Sequence, residues 1–258
     1  RARRFDPRTK DRIFRTIEER QGIAVSIGAE LPGGGVEYKP LGVFYQFSGG
    51  WKTGDNGLTM QWSLVDIIGL LADRQYLPPE TLPVTAEGWI ASLVSQLGAN
   101  FAGRYQIDPS LAALPLTAER EGVTGKSCGE ILRMACMALG AFPRAASETG
   151  YLAVAPLWSH GGTMTLDNME TYPVIRANDD LAAIIFTLAD GSGTQLVVSG
   201  TSTASSNTVQ VNNPFIHDQA AALTAARLIL STYGGNKLET TGRGDPACEI
   251  GDVDTVWL

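Results

Sequence analysis

Strand-prone runs cut by glycine turns occupy two separate stretches of this chain, and a stretch with two well-marked helices lies between them. From Ile23 to about Ser48, "IAVSIGAEL" and "VEYKPLGVFYQFS" read as strands, with turns expected at Gly33-Gly34-Gly35 and Gly49-Gly50. One more strand, Leu58–Ser63, a short helical turn and a Pro78-Pro79 break read as a linker close that block. Residues 85–97 start at Thr85 and bring Trp89, Ile90, Leu93, Val94 and Leu97 to one face at helical spacing. Residues 128–139 follow Ser127, and Glu130 at the third helical position completes a capping box. Gly140 stops that helix, and strands are expected at Ala141–Ala145 and Tyr151–Leu157. Beyond residue 163 the chain returns to strand in "LAAIIFTLA", "TQLVVSG", "NTVQV", "KLETTG" and "VDTVWL", interrupted by a helix from about Asp218 to Tyr233 that Gly234-Gly235 closes.

The expected organisation is therefore α+β, mainly β. A basic arm at 1–22 precedes a first β-barrel-like domain at 23–80, short for a full barrel, a small α+β domain at 81–160, and a second β-barrel-like domain with one long helix at 161–258. Length and an apolar fraction of 44% are enough for a sizeable core. No apolar run approaches the roughly 18 residues of a membrane-spanning helix, and the first residues lack the apolar core of a signal peptide. Opening on Arg1 and stopping in "TVWL", the sequence reads as an excised or incomplete piece.

The net charge of −7 is unevenly spread: residues 1–20 hold eight Arg or Lys against four acids, so the remaining 238 carry −11. An acidic body without a basic stripe excludes sequence-specific nucleic-acid binding as the expected role and leaves the arm as a solvated or partner-docking segment. Three cysteines do not make a disulfide scaffold. Cys128 and Cys136 lie on one helix about 12 Å apart in rise and cannot pair, and Cys248 has no evident partner.

Motifs for chemistry are sparse. Gly125-Lys126-Ser127 sits before a helix as a phosphate loop would, but the glycine required five residues earlier is Arg120, and Ser127 is better read as a cap. Gly242, Gly244 and Ala247 match a dinucleotide spacing without the helix that must follow. Asp245, Glu249, Asp252 and Asp254 lack the alternation of a calcium loop. Of the two histidines, His160 belongs to no known motif and His217 stands at a helix start, where capping or packing is expected. No catalytic, cofactor or metal residue is assigned.

Arg243-Gly244-Asp245 spells an adhesive tripeptide, yet "GRGDPACEIGD" reads more simply as two turns around a short strand. Gly244 and Gly251 tolerate positive φ, Asp245 and Asp252 can accept from nearby backbone N–H groups, and Pro246 fixes its own φ. Pro214 is a further expected turn residue.

The order of segments resembles that of tail proteins of phages and prophages. "YKPLGVFYQFSGGWKTGDNGLTMQWSLVDIIGLLADRQYLPP" is similar to the passage that closes their first hub domain, "YQIDPSLAALPL" through "GYLAVAPL" to the middle domain, and "VQVNNPFI" through "GRGDPACEIGDVDTV" to the third. The resemblance implies two β-barrel-like domains packed around an axis as a homotrimer, with the middle domain outside. It implies a non-enzymatic baseplate hub in the virion tail, made in the bacterial host cytoplasm, that links the tail tube to spike or fibre proteins and needs no cofactor. Two alternatives stand beside it: a tail-associated lysin or peptidase whose catalytic domain lies beyond Leu258, and a host-adhesion module that uses the Arg-Gly-Asp loop.

Overall fold

A computed structural model describes residues 22–54, 57–156, 160–165, 174–176, 181–200, 207–233, 237–239 and 253–257. The described residues open on an antiparallel meander of β1 (Gly22–Glu30), β2 (Val36–Gly54) and β3 (Gly57–Val65). The β1–β2 turn closes through Leu31 N–H to the Gly35 carbonyl at 2.7 Å, with Gly34 at φ 81°, a conformation that glycine adopts without steric cost. Strand β2 runs unbroken for 19 residues. Gly49 and Gly50 therefore do not turn the chain: they pair with Trp62 and Gln61, and a register shift between Gln46 and Ser48 absorbs the irregularity.

The next segment folds as helices around one core. Asp66 caps α1 (Ile67–Asp73) by accepting from Gly69 N–H at 2.8 Å, and Thr85 caps α2 (Ala86–Ser95) by accepting from Gly88 N–H. A 3-10 turn at Ala99–Phe101 leads to β4 (Tyr105–Ile107), followed by the one-turn helices α3 (Pro109–Ala112) and α4 (Arg120–Val123). Helix α5 (Cys128–Leu139) ends at Gly140, left-handed at φ 63°, and passes directly into β5 (Ala141–Ala145) and β6 (Leu152–Pro156). These strands form a sheet of order β4-β6-β5 in which β4 runs parallel to β6.

The remaining strands are β7 (His160–Thr165), β8 (Val174–Arg176), β9 (Ala183–Thr187), β10 (Gln195–Ser199), β11 (Thr208–Asn212), β12 (Lys237–Glu239) and β13 (Val253–Trp257), with α6 (Gln219–Tyr233) after β11. β9 and β10 form a hairpin, β11 adds to β9 in parallel, and the pairs β7–β13 and β8–β12 stand as two-stranded ladders. Among the described residues the fold is thus mixed α+β, with six α-helices, three three-stranded sheets, two ladders and no closed barrel.

Among the described residues one apolar cluster runs from Tyr45 on β2 through the helical unit to Ile229 on α6. Trp89 sits near its middle and is fully buried. Its indole N–H donates to the Leu116 carbonyl at 2.8 Å, which satisfies the polar end, and its ring meets Phe215 edge-on at 4.9 Å. Tyr45 packs on Phe101 at 5.1 Å between centroids and so roots the first sheet in the helical unit. The Pro78-Pro79 segment is held down rather than loose. The Arg120 guanidinium donates to the carbonyls of Pro78, Pro79 and Glu80, and Tyr76 N–H donates to the Lys126 carbonyl.

Candidate functional site: surfaces open to partners

At Gly125-Lys126-Ser127, the groups that would receive a phosphate are occupied. The Ser127 hydroxyl accepts from Glu130 N–H at 3.1 Å, and Ser127 N–H donates to Glu130 Oε2 at 2.8 Å, so a carboxylate already stands where an anion would. That backbone N–H, together with the Ser127 hydroxyl and the cations Lys126 and Arg133, holds the Glu130 carboxyl below the usual range. Cys128 and Cys136 are poor nucleophiles: burial pushes the first thiol up to about 11 and the second up to about 12, so both are protonated at neutral pH. No group of three or more His, Cys, Asp or Glu able to hold a metal occurs among the described residues, and no described helix is long and apolar enough to cross a membrane.

Pro214 does lie in a turn. Asn213 beside it is buried and bridges elements, with Nδ2 donating to the Met134 carbonyl of α5 at 2.8 Å and Oδ1 accepting from Phe215 N–H at 3.0 Å. The Pro214 ring rests on Gly122, where an added Cβ would come within 2.7 Å of it. This turn is an internal joint between α4, α5 and the strand-rich third part. Gly244, Asp245, Pro246, Gly251 and Asp252 lie outside the described residues, as does the strand-and-turn reading of that loop. The side chain of His160 is likewise outside them, whereas His217 bridges two backbone carbonyls.

The described surface also carries exposed apolar residues. In the β1–β2 hairpin, Gly28 pairs with Tyr38 and Ile27 with Lys39, so Tyr38 and Ile27 point to opposite faces. Both are exposed, Tyr38 at 70% and Ile27 at 50%, and Leu31, Val36 and Leu41 are exposed with them. Neither face of this end of the sheet is packed against the core cluster. The β1 edge has no second strand among the described residues and carries neither Lys nor Pro along its nine residues, the devices that usually blunt such an edge. At the base of the hairpin a cleft of about 860 Å³ opens between β2, α5 and β5, lined by Leu41, Phe44, Ile68, Met137 and Phe142, with Arg133 and Arg144 among its polar residues.

Two solved structures share this architecture. A tail protein from Neisseria meningitidis MC58 superposes with a TM-score of 0.54 at 16% identity, covering 90% of this chain and 73% of the other. The 43 kDa tail protein of prophage MuSo2 from Shewanella oneidensis gives 0.56 at 18% identity, covering 93% and 73%. The chain has the fold of these tail proteins. No protein-family model matches it, and no curated protein matches it.

Within this tail-protein fold, the residues that sequence reasoning passed over are those whose role depends on distant partners. Arg120 entered only as the residue that spoils a phosphate loop, yet it holds the Pro78–Glu80 carbonyls some 40 positions away. Tyr38 and Ile27 read as ordinary strand residues. The period-two pattern places them on opposite faces, but nothing in it says that both faces are bare.

Proposed function

We propose that this protein is a structural component of a phage or prophage tail tip, a non-enzymatic baseplate hub that links the tail tube to spike or fibre proteins and assembles as a homotrimer in the virion tail. The observation that carries the reading is the fold, shared over nine-tenths of the chain with two phage-type tail proteins. In this reading residues 23–80 and 161–258 are the two β domains that meet neighbouring copies around the axis, and 81–160 is the outer unit. The exposed β1–β2 hairpin supports it physically. A sheet edge with apolar residues exposed on both faces and Glu30 as its one charge is a poor surface for an isolated monomer and a good one for a strand or loop of a neighbouring subunit. The acidic body supports it as well, since a negatively charged lumen repels passing nucleic acid.

Mass photometry of the chain, alone and co-expressed with the tail proteins encoded beside it, tests this directly. Three copies per particle, with threefold rings in electron micrographs, are expected. A strict monomer under both conditions overturns the reading.

A further inference from the structure

His217 bridges two backbone segments, one of them 100 residues away from it in the chain. Its Nδ1 is 2.7 Å from the carbonyl oxygen of Ala189, just beyond β9 in the β9–β10 hairpin, and its Nε2 is 2.7 Å from the carbonyl oxygen of Thr117, in the segment entering α4. Carbonyl oxygens only accept. A neutral imidazole has one N–H and one lone pair, so in that form one contact is a hydrogen bond and the other sets two acceptors face to face; the imidazolium alone donates at both.

The two carbonyls are not free to retreat. Ala189 N–H donates to the Ile216 carbonyl at 2.8 Å, which ties the hairpin to the residue beside His217. Thr117 follows Leu116, whose N–H donates to the Val84 carbonyl at 2.9 Å and whose own carbonyl accepts from the Trp89 indole. Charged neighbours come from each element around the ring. Asp190 follows Ala189, Asp218 follows His217, Glu119 and Arg120 follow Thr117, and Lys126 lines the small cleft beside them. Asp218 and Asp190 are carboxylates that only accept, from Ala221 N–H and from Ser192, and Arg120 is committed to the Pro78–Glu80 carbonyls, so none of the three supplies the donor that the neutral ring lacks.

We propose that His217 is a proton-dependent latch that fastens the β9–β10 hairpin to the helical unit with two hydrogen bonds when doubly protonated and with one when neutral. The sign follows from donor count: the second bond goes when the ring gives up its second proton, so the junction loosens as pH rises. The inference does not depend on the partners proposed above.

The chain has only two histidines, which makes the test clean. Thermal melts from pH 5 to 8 are compared for the parent, His217→Gln and His160→Gln. One net hydrogen bond in a chain of this size corresponds to about 2–4 °C, so the parent should lose that much more Tm across the range than His217→Gln, while His160→Gln follows the parent. Ring nitrogen resonances of the full-length parent should show two slowly exchanging N–H groups on His217 at pH 5 and one at pH 8. Equal pH slopes for the parent and His217→Gln, or rapidly exchanging ring protons on His217 at pH 5, overturn the latch. If His217→Gln does not fold, the ring resonances of the parent and of His160→Gln decide alone.

Discussion

Gly129, the second residue of α5, shows how closely two helices meet in this fold. A Cβ there would lie 2.7 Å from the Ala72 Cα and 3.0 Å from its backbone N on α1. Both are backbone atoms, so the clash cannot be relieved by turning a side chain. Alanine in a helix gains about 0.8–1.0 kcal/mol over glycine by propensity, whereas overpacking a tight contact costs typically 1–3 kcal/mol. Packing wins, and Gly129→Ala should lower Tm; a melt that rises instead would show that the α1–α5 contact yields. The thiols give a second prediction at this scale. In a Cys248→Ser background, Cys128 and Cys136 should resist thiol reagents in native buffer and react fully in denaturant, because burial both hides them and keeps them protonated. The buried face of α2 and the Ser127–Glu130 pair were legible in the sequence, since both depend on spacings of three and four residues. The contacts of Gly129 and His217 were not, because their partners lie on other elements.

Helix α5 carries its own acid sensitivity. Hydrogen bonding from Ser127 N–H holds the folded Glu130 carboxyl below its ordinary value, so the unfolded chain binds that proton more readily. The stabilisation is present above the ordinary glutamate range and is lost as pH falls through the lowered folded value. Glu130→Gln keeps the bond without the charge, and its melts should depend less on pH in that acidic window than the parent's. Ser127→Ala removes the hydroxyl acceptor and should cost about 1 kcal/mol at neutral pH, read from denaturant midpoints. Strands were harder to read than helices. Gly49-Gly50 carries every local mark of a turn, but the strand opposite supplies pairing partners for both residues, and a long-range ladder outweighs the local signal. The parallel pairing of β11 with β9 has no local mark at all, because it is set by a crossover rather than by a hairpin.

Across the whole molecule, the three-part division read from composition conceals one continuous core. Phe186, Phe215 and Ile216 from the third part bury themselves in the same cluster as Trp89 and Ile131 from the second. Sequence periodicity shows that each element has an apolar face, but not which faces meet. The far end of the β1–β2 hairpin stands apart from this cluster, and that separation supplies the test at this scale. Tyr38→Ser with Ile27→Thr should leave the monomer's Tm within a few degrees, since exposed substitutions usually change stability by about 0.5 kcal/mol or less. The same double variant should weaken the proposed trimer by ten-fold or more in mass photometry. A large loss of Tm would mean that the hairpin is part of the core; unchanged assembly would move the subunit contact elsewhere.

The Arg120 strap has a mechanical consequence. Force applied between α1 and α2 passes through the chain at residues 74–85, where proline and exposed apolar residues look like slack. That stretch is fastened at intervals, by Arg120 on three successive carbonyls, by Tyr76 on Lys126 and by Leu116 on Val84. Fasteners loaded together share tension and fail together, unlike a hairpin that unzips one rung at a time. A pull on this protein therefore meets a stiff coupling where composition suggests a hinge.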